Sequence, residues 1–435
     1  MKKTYLILAV TTALTAVSQP ELTVWKMNNN GQTASYWQNT NGSPTNPTFV
    51  FNTSTTLADV TKICYDNNYV WVKSEGMTVN MGKFLNPGAP TAQNYTFRLP
   101  RTQTVPTTKT TSPLIGAIGV LTNGIPIYGL SNAHYYNGTN NNGTGTGTWN
   151  VEVYLSEGFV LDTAFGAHPQ QQGAYHTHAK PYRLFSATAS TVHSPLIGYA
   201  FDGYPVYGPY GYSSPTSSAS PVARMKTGFS LRNITTRTSL AYGGTLTAAQ
   251  YGPPVNTTYP IGTYIEDYEW LASNGGDLDK YNGRFCVTPE YPAGTYAYFV
   301  TLNASGTPEF PYIIGPQYYG APEVDNITMG TVITVPQGVT CTTATTVVTG
   351  IAVQSAGPAA SSFPNPSSGT FNISLPDISG VAEIQIYDVN GVLHFSEVTN
   401  DNLIKVDLSG KAARGIYLLK VRNEGREYST KIVLE

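Results

Sequence analysis

From Cys64 to Ile314 the chain is broken every few residues by Gly, Pro or Asn, and the pieces between the breaks are short runs rich in Val, Ile, Tyr and Thr. Runs such as Tyr69 to Lys73, Ser112 to Tyr128, Trp149 to Tyr154 and Thr295 to Leu302 are typical. A helix needs several uninterrupted turns to repay its nucleation, whereas a strand needs only a handful of residues. With Gly 42, Pro 30 and Tyr 31, helix interiors are penalised and pleated surfaces favoured. The pattern therefore predicts an all-β protein: a central β-rich, sandwich-like domain and, beyond it, a small immunoglobulin-like β-sandwich.

The second module is read from alternating runs at Thr370 to Leu375, Ala382 to Val389, Leu403 to Leu408, Gly415 to Val421 and Ser429 to Leu434, with Asn390-Gly391 as a hairpin turn. Seven strands or fewer fit that length. Between the modules, residues 336–362 are Thr, Ala, Ser, Val and Gly without a charge, as in a linker. At the other end, Lys2 and Lys3, an apolar run to Leu14 and the small residues Ala16-Val17-Ser18 form a secretory leader over residues 1–18. That run is too short to span a bilayer. The expected order is thus leader, N-terminal extension 19–62, central domain 63–335, linker 336–362 and terminal domain 363–435.

Within the central domain one motif occurs twice. Ser112-Pro113-Leu114-Ile115-Gly116 precedes Ile125-Pro126-Ile127-Tyr128-Gly129, and Ser194-Pro195-Leu196-Ile197-Gly198 precedes Tyr204-Pro205-Val206-Tyr207-Gly208, with a three-residue difference in spacing. Two related strand-turn-strand units are expected on either side of the segment between them.

That segment holds most of the chemistry. Five of the six histidines, His134, His168, His176, His178 and His193, lie in one stretch. In Tyr175-His176-Thr177-His178 the two rings emerge on the same face of a strand, within reach of one ion. Imidazole nitrogens at about 2.0–2.1 Å suit a transition metal, so His168, His176, His178 and His193 are the candidate ligands, with copper or zinc as the ion. His168 precedes Pro169, which restricts it to extended backbone. His134, Asp162, Tyr175 and Asp202 are held as reserve ligands or as partners that orient a ring, although turn and capping roles are commoner for such carboxylates. A histidine pair on a strand can equally be solvated or simply hydrogen-bonded. Asp277 and Asp279, near Asn282, offer alternating oxygens for calcium, but no glutamate stands at the closing position of an EF-hand, and a solvated loop is the simpler reading.

Net charge −2, or −2 − 2 = −4 once Lys2 and Lys3 leave with the leader, gives no electrostatic case for nucleic acid or an anionic membrane surface. No Gly-x-Ser-x-Gly, His-Glu-x-x-His or Walker motif occurs. Export permits disulfides, and of Cys64, Cys286 and Cys341 the first two, both in strand-like contexts, are the expected pair. Besides a secreted metal-binding protein or metalloenzyme, a cell-surface module that binds glycans or proteins stays open. Its basis would be Trp71, Trp149, Trp270 and the loop from Asn137 to Gly147. A structural surface protein is the third class.

Two resemblances sharpen this. Pro364-Asn365-Pro366, Gly369, Ile386-Tyr387-Asp388-Val389-Asn390-Gly391, Gly415-Ile416-Tyr417 and Lys431 together resemble the type A sorting domain of the type IX secretion system of Bacteroidetes. The resemblance implies export to the periplasm, passage across the outer membrane by that machinery, and removal of the module from a released or surface-held product. The region from Tyr65 to Gly320 resembles the YHYH protein family. The carrying pieces are Asn94-Tyr95-Thr96-Phe97, Pro100-Arg101, Asn123 to Tyr128, Gly166-Ala167-His168-Pro169, Tyr175 to His178, His193 to Ala200, Asp202 to Gly208, Asp277-Leu278-Asp279 and Asn282-Gly283-Arg284 through Tyr298. Thr177 stands where the family name has tyrosine. No reaction comes with this resemblance.

Overall fold

The computed structural model describes residues 19–343 and 361–435, apart from 87, 187–190, 242, 327–332, 376–380, 389–391 and 424–425. The expected leader, most of the expected linker and the Asn390-Gly391 turn fall outside the described residues. Among those described, the chain is built from strands with two short α-helices and a few 3₁₀ turns, and no helix is long and apolar enough to cross a membrane. It divides into two compact units, Met1–Ala352 and Val353–Glu435.

The first unit is organised on an eight-stranded sheet in the order Ala167–Pro169, Tyr175–Thr177, Pro126–Tyr128, Ala117–Leu121, Leu196–Ala200, Pro205–Tyr207, Thr295–Phe299, Gly283–Cys286. Its two halves repeat the same pairing outward from the centre. Ala117–Leu121 and Leu196–Ala200 pair antiparallel, each forms a hairpin with the next strand, each hairpin pairs parallel with a third strand, and an antiparallel strand closes each edge. Val120 lies opposite Tyr199 at the centre, and these residues also correspond between the two halves.

The repeated motif is thus the core of a larger internal repeat, but its two pieces behave differently. The hairpins superimpose from their turns, Asn123-Gly124 and Asp202-Gly203, so Ile127 corresponds to Val206 and Gly119 to Gly198. The Ser-Pro-Leu-Ile-Gly pieces then fall three residues out of step. Turn geometry sets hairpin register, and the spacing difference is the result.

Both inner hairpins are buried: Val120, Ile127, Ala200, Val206 and Phe299 are inaccessible, and they belong to one core with Phe84, Phe97 and Phe201. Trp71 and Trp149 are also core residues, and Trp270 is half-buried with its indole N–H donated to the Leu278 carbonyl, so none of the three is an exposed stacking surface.

A four-stranded sheet in the order Thr340–Thr343, Val60–Tyr65, Tyr69–Ser74, Tyr95–Pro100 corrects the expected disulfide. Cys341 lies directly opposite Cys64, and these two form the bridge, closing a loop with a sequence separation of 277. Cys286 is a buried free thiol on the edge strand of the eight-stranded sheet, a different sheet from that of Cys64. Thr340–Thr343 falls in the stretch read as linker. An uncharged Thr-rich sequence is also good strand material, and here it pairs.

The second unit has a three-stranded sheet, Ser361–Phe363, Thr370–Ser374, Leu403–Asp407, and a four-stranded sheet in the order Leu393–Thr399, Ala382–Asp388, Gly415–Asn423, Arg426–Leu434. Alternate residues of both sheets, among them Phe371, Ile373, Ile384, Ile386, Val406, Leu419, Val421 and Ile432, form one core, as in a β-sandwich. His394 pairs with Asp388 at 3.2 Å and packs edge-on to Tyr417.

Candidate metal centre

The edge of the first half of the eight-stranded sheet brings three histidines together. His168 and His176 are directly opposite across the antiparallel pair Ala167–Pro169 and Tyr175–Thr177, and His178 follows one residue past the second strand, on the face of His176. The ligand nitrogens of the three lie within 4.8 Å of one another, and all three residues are buried. Thr177 between them points the other way. Its hydroxyl donates to the Phe165 carbonyl at 2.7 Å and the Gly166 carbonyl at 3.1 Å, fixing the loop that leads into His168.

Each ring is oriented through Nδ1. His176 Nδ1 lies 2.9 Å from the Ala174 carbonyl, and His178 Nδ1 lies 2.8 Å from the Gly129 carbonyl. A carbonyl only accepts, so Nδ1 carries the proton in both neutral rings and Nε2 presents a bare lone pair. His168 Nδ1 is 2.9 Å from Asn86 Oδ1, and its Nε2 is buried. The Gly129 carbonyl can approach because residue 129 has no side chain: a Cβ there would come within 2.1 Å of the Pro113 oxygen.

Burial, reinforced by the neighbouring rings of His168 and His178, holds His176 well below its usual pKa, and burial first of all lowers His178 to about 4. Both are therefore neutral at pH 7, yet their Nε2 atoms face each other at 2.9 Å. Tyr128 stacks on His176 with centroids 4.0 Å apart and meets His178 edge-on.

A carboxylate completes the cluster. Glu157, the last residue of the helix Val153–Glu157, places Oε2 3.3 Å from His168 Nε2 and 3.9 Å from His178 Nε2. Burial raises its pKa, but a hydrogen bond with His168 and then the nearby rings of His178, His168 and His134 outweigh this and leave it lowered, so it is ionised. The helix is short but well capped: the Glu152 side chain accepts from the N–H groups of Tyr154 and Leu155. The bare Nε2 atoms of His176 and His178, the Nε2 of His168 and an ionised carboxylate thus converge on one small volume.

The other candidates lie apart from this group or at its margin. His193 is buried in the second half, with Nδ1 2.7 Å from the Ser194 carbonyl, its ring against Tyr207 and Tyr212, and Nε2 unpaired. Burial lowers it to about 4. His134 is exposed on Ser131–Tyr135, close enough to Glu157 to act on its charge.

Asp162 accepts from the Tyr175 hydroxyl and from the N–H groups of Gly82, Ala164 and Phe165. Asp202 accepts from the Tyr298 hydroxyl at 2.6 Å and the Gly320 N–H at 2.9 Å. Tyr175 is thus engaged with Asp162, and both carboxylates anchor loops. Asp277 accepts from the Lys226 N–H and Asp279 from the Tyr281 N–H and the Tyr296 hydroxyl. Among the described residues, the histidine trio is the one group of three or more His, Cys, Asp or Glu side chains gathered closely enough for a metal. Sequence reading missed Glu157, Asn86 and the two carbonyl acceptors. No spacing rule ties them to the histidines.

Residues 96–312 match the family described as YHYH protein, and residues 361–435 match the secretion system C-terminal sorting domain. An ulvan lyase, NLR42, of Nonlabens ulvanivorans is 33% identical over 73 residues, 17% of this chain and 14% of that protein. The chain thus spans about one seventh of that relative's length. A solved structure of PorZ, a surface component of the type IX secretion system of Porphyromonas gingivalis, aligns over 87% of this chain and 51% of its own at 9% identity. Its TM-score is 0.16, too low to carry an argument. The sorting domain marks the protein for export to the outer surface or the medium, and the chain is a YHYH domain protein ending in a type IX secretion sorting domain.

Proposed function

We propose that this is a secreted or surface-held metal-binding protein in which His168, His176 and His178 hold one transition-metal ion, copper or zinc, beside Glu157. The observation that carries the reading is the tautomer set. Backbone carbonyls take the Nδ1 protons of His176 and His178, so two bare Nε2 lone pairs meet at 2.9 Å inside the protein, an arrangement that a shared cation stabilises. Such an ion would supply Lewis acidity if zinc or one-electron chemistry if copper, and the reaction, if there is one, is not specified by these residues. Their part is to hold the ion in a dry, aromatic-lined hollow beside Tyr128.

The test is metal analysis of the purified exported form together with thermal unfolding. An ion that binds only the folded state stabilises it by about 2.7 kcal/mol at a hundredfold excess over Kd. Copper or zinc should raise the Tm of the wild type and leave a His176→Ala, His178→Ala double variant unmoved. Equal shifts in both proteins, or no binding by the wild type at pH 7.5, would remove the reading.

A further inference from the structure

The helix Val153–Glu157 carries Glu157 to the histidine cluster at one end, and at the other its capping residue Glu152 lines a cleft of about 290 Å³. Rings of Tyr154, Phe229, Tyr268, Phe310 and Tyr312 make up much of the wall. Tyr268 stacks on Phe310 with centroids 4.1 Å apart, Phe229 and Tyr312 meet Phe310 edge-on, and Tyr312 packs against Tyr154. Leu155 and Leu231 also line the cleft and are exposed, so it opens to solvent.

The charge of the lining is one-sided. Glu152 and Glu309 belong to it, and no Lys, Arg or His does among the described residues. Glu309 has Arg224 at 3.6 Å, outside the lining. Glu152 is 1% exposed and accepts from the N–H groups of Tyr154 and Leu155 and from the Tyr312 hydroxyl at 2.6 Å. A carboxylate offers about four lone-pair sites, so little acceptor capacity is left. Its charge still reaches the rings: burial first, and the charge of Glu152 next, raise the phenols of Tyr268 and Tyr312 above their ordinary value. Aromatic faces beside a buried carboxylate attract a cation, and a site with charge but few free acceptors favours a cation that has no N–H groups to satisfy.

We propose that this cleft binds the quaternary ammonium head of a small ligand, with the aromatic wall around its methyl groups and Glu152 supplying the opposite charge. The site goes beyond the metal reading and does not depend on it. A neutral sugar would ask for free acceptors and a bare ring face. Glu152 is nearly full, and Tyr268 and Phe310 each cover one face of the other.

The experiment titrates the full secreted chain with choline, with its neutral carbon isostere dimethylbutanol and with cellobiose, followed by calorimetry and intrinsic fluorescence. Choline should bind saturably and the isostere about tenfold or more weakly. Leu155→Lys sets an ammonium at an exposed position of the lining and should weaken choline about tenfold or more, whereas Leu155→Met should bind as wild type does. Glu152→Gln should also weaken binding. Because Glu152 caps the helix, the fold of that variant is checked by its melting curve, and if it unfolds the Leu155 pair decides. Equal affinity for choline and dimethylbutanol would overturn the proposal, since the cleft would then select shape and not charge. So would tighter binding of cellobiose, no saturable binding of choline, or full binding by Leu155→Lys. None of these outcomes bears on metal uptake, which is measured separately.

Discussion

His168 and Asn86 make the Nδ1 contact of the cluster that comes from a side chain rather than a backbone carbonyl, with Nδ1 2.9 Å from Oδ1. His176 and His178 lean on carbonyls that no substitution removes, so Asn86 is the place where orientation can be tested without touching a ligand. Asn86→Ala should lower metal affinity about 10- to 100-fold while the apo protein keeps its fold. Competitive titration against a chelator, with melting curves of both apo proteins, measures this. An unchanged Kd would mean that packing alone sets the ring.

Arg237 and Asp267 form an ion pair with both side chains fully buried. The guanidinium donates to both carboxylate oxygens and to the Pro253, Tyr259 and Pro260 carbonyls, and its face covers Tyr264. Breaking one side strands a charge with no water to receive it. Asp267→Asn should cost about 3–5 kcal/mol in urea unfolding. A loss under about 1 kcal/mol would show that solvent reaches Arg237.

The bridge Cys64–Cys341 ties the strand Thr340–Thr343 to Val60–Tyr65, and Cys286 is buried with its thiol pushed up by loss of solvent. A thiol reagent should therefore find no reactive cysteine in the native protein and one per chain after denaturation without reductant. Cys341→Ser should lower stability by about 2–4 kcal/mol. Labelling of Cys286 in the native state would contradict the packing of that edge strand.

Burial lowers His193 to about 4, against an ordinary value near 6.5. The unfolded chain then takes up the proton more readily than the folded one, so the contribution of His193 is intact above about pH 6.5 and is lost as pH falls toward 4. Other buried groups work against this: burial raises Asp202 to about 6 and Glu266 to about 7, and these favour the folded state at lower pH. The effect must be read as a difference between variants. Relative to His193→Phe, the wild type should lose about 3 kcal/mol between pH 7 and pH 4. Urea unfolding of the pair across that range checks it, and a gap independent of pH would refute the shift.

Strand content and the terminal sandwich were legible because turn residues and period-two alternation leave local marks: Ala382–Asp388 alternates buried and half-buried over its first five residues. The His176 and His178 pair was legible for the same reason. His168 joined them through a hairpin pairing that spacing only suggests. His193 carries the same sequence signals as the other three, yet it lies in the segment that leads into Leu196–Ala200, a strand of the other half of the sheet. Glu157 was invisible because it comes from a helix too short to show a period, and the cysteine pairing because the partner strand sits in sequence that reads as linker.

The repeat within the eight-stranded sheet supplies its own comparison. By register, the places that His168, His176 and His178 hold in one half are held in the other by Arg284, Ala297 and Phe299. The same four-strand frame has therefore been built twice from one chain, once with three imidazoles at these places and once with a guanidinium, a methyl group and a phenyl ring. Nothing in the strand pairing demands imidazole at those corners. Histidine there is a choice that architecture permits and does not enforce, so the chemistry of this edge can be rewritten while the sheet beneath it stays as it is.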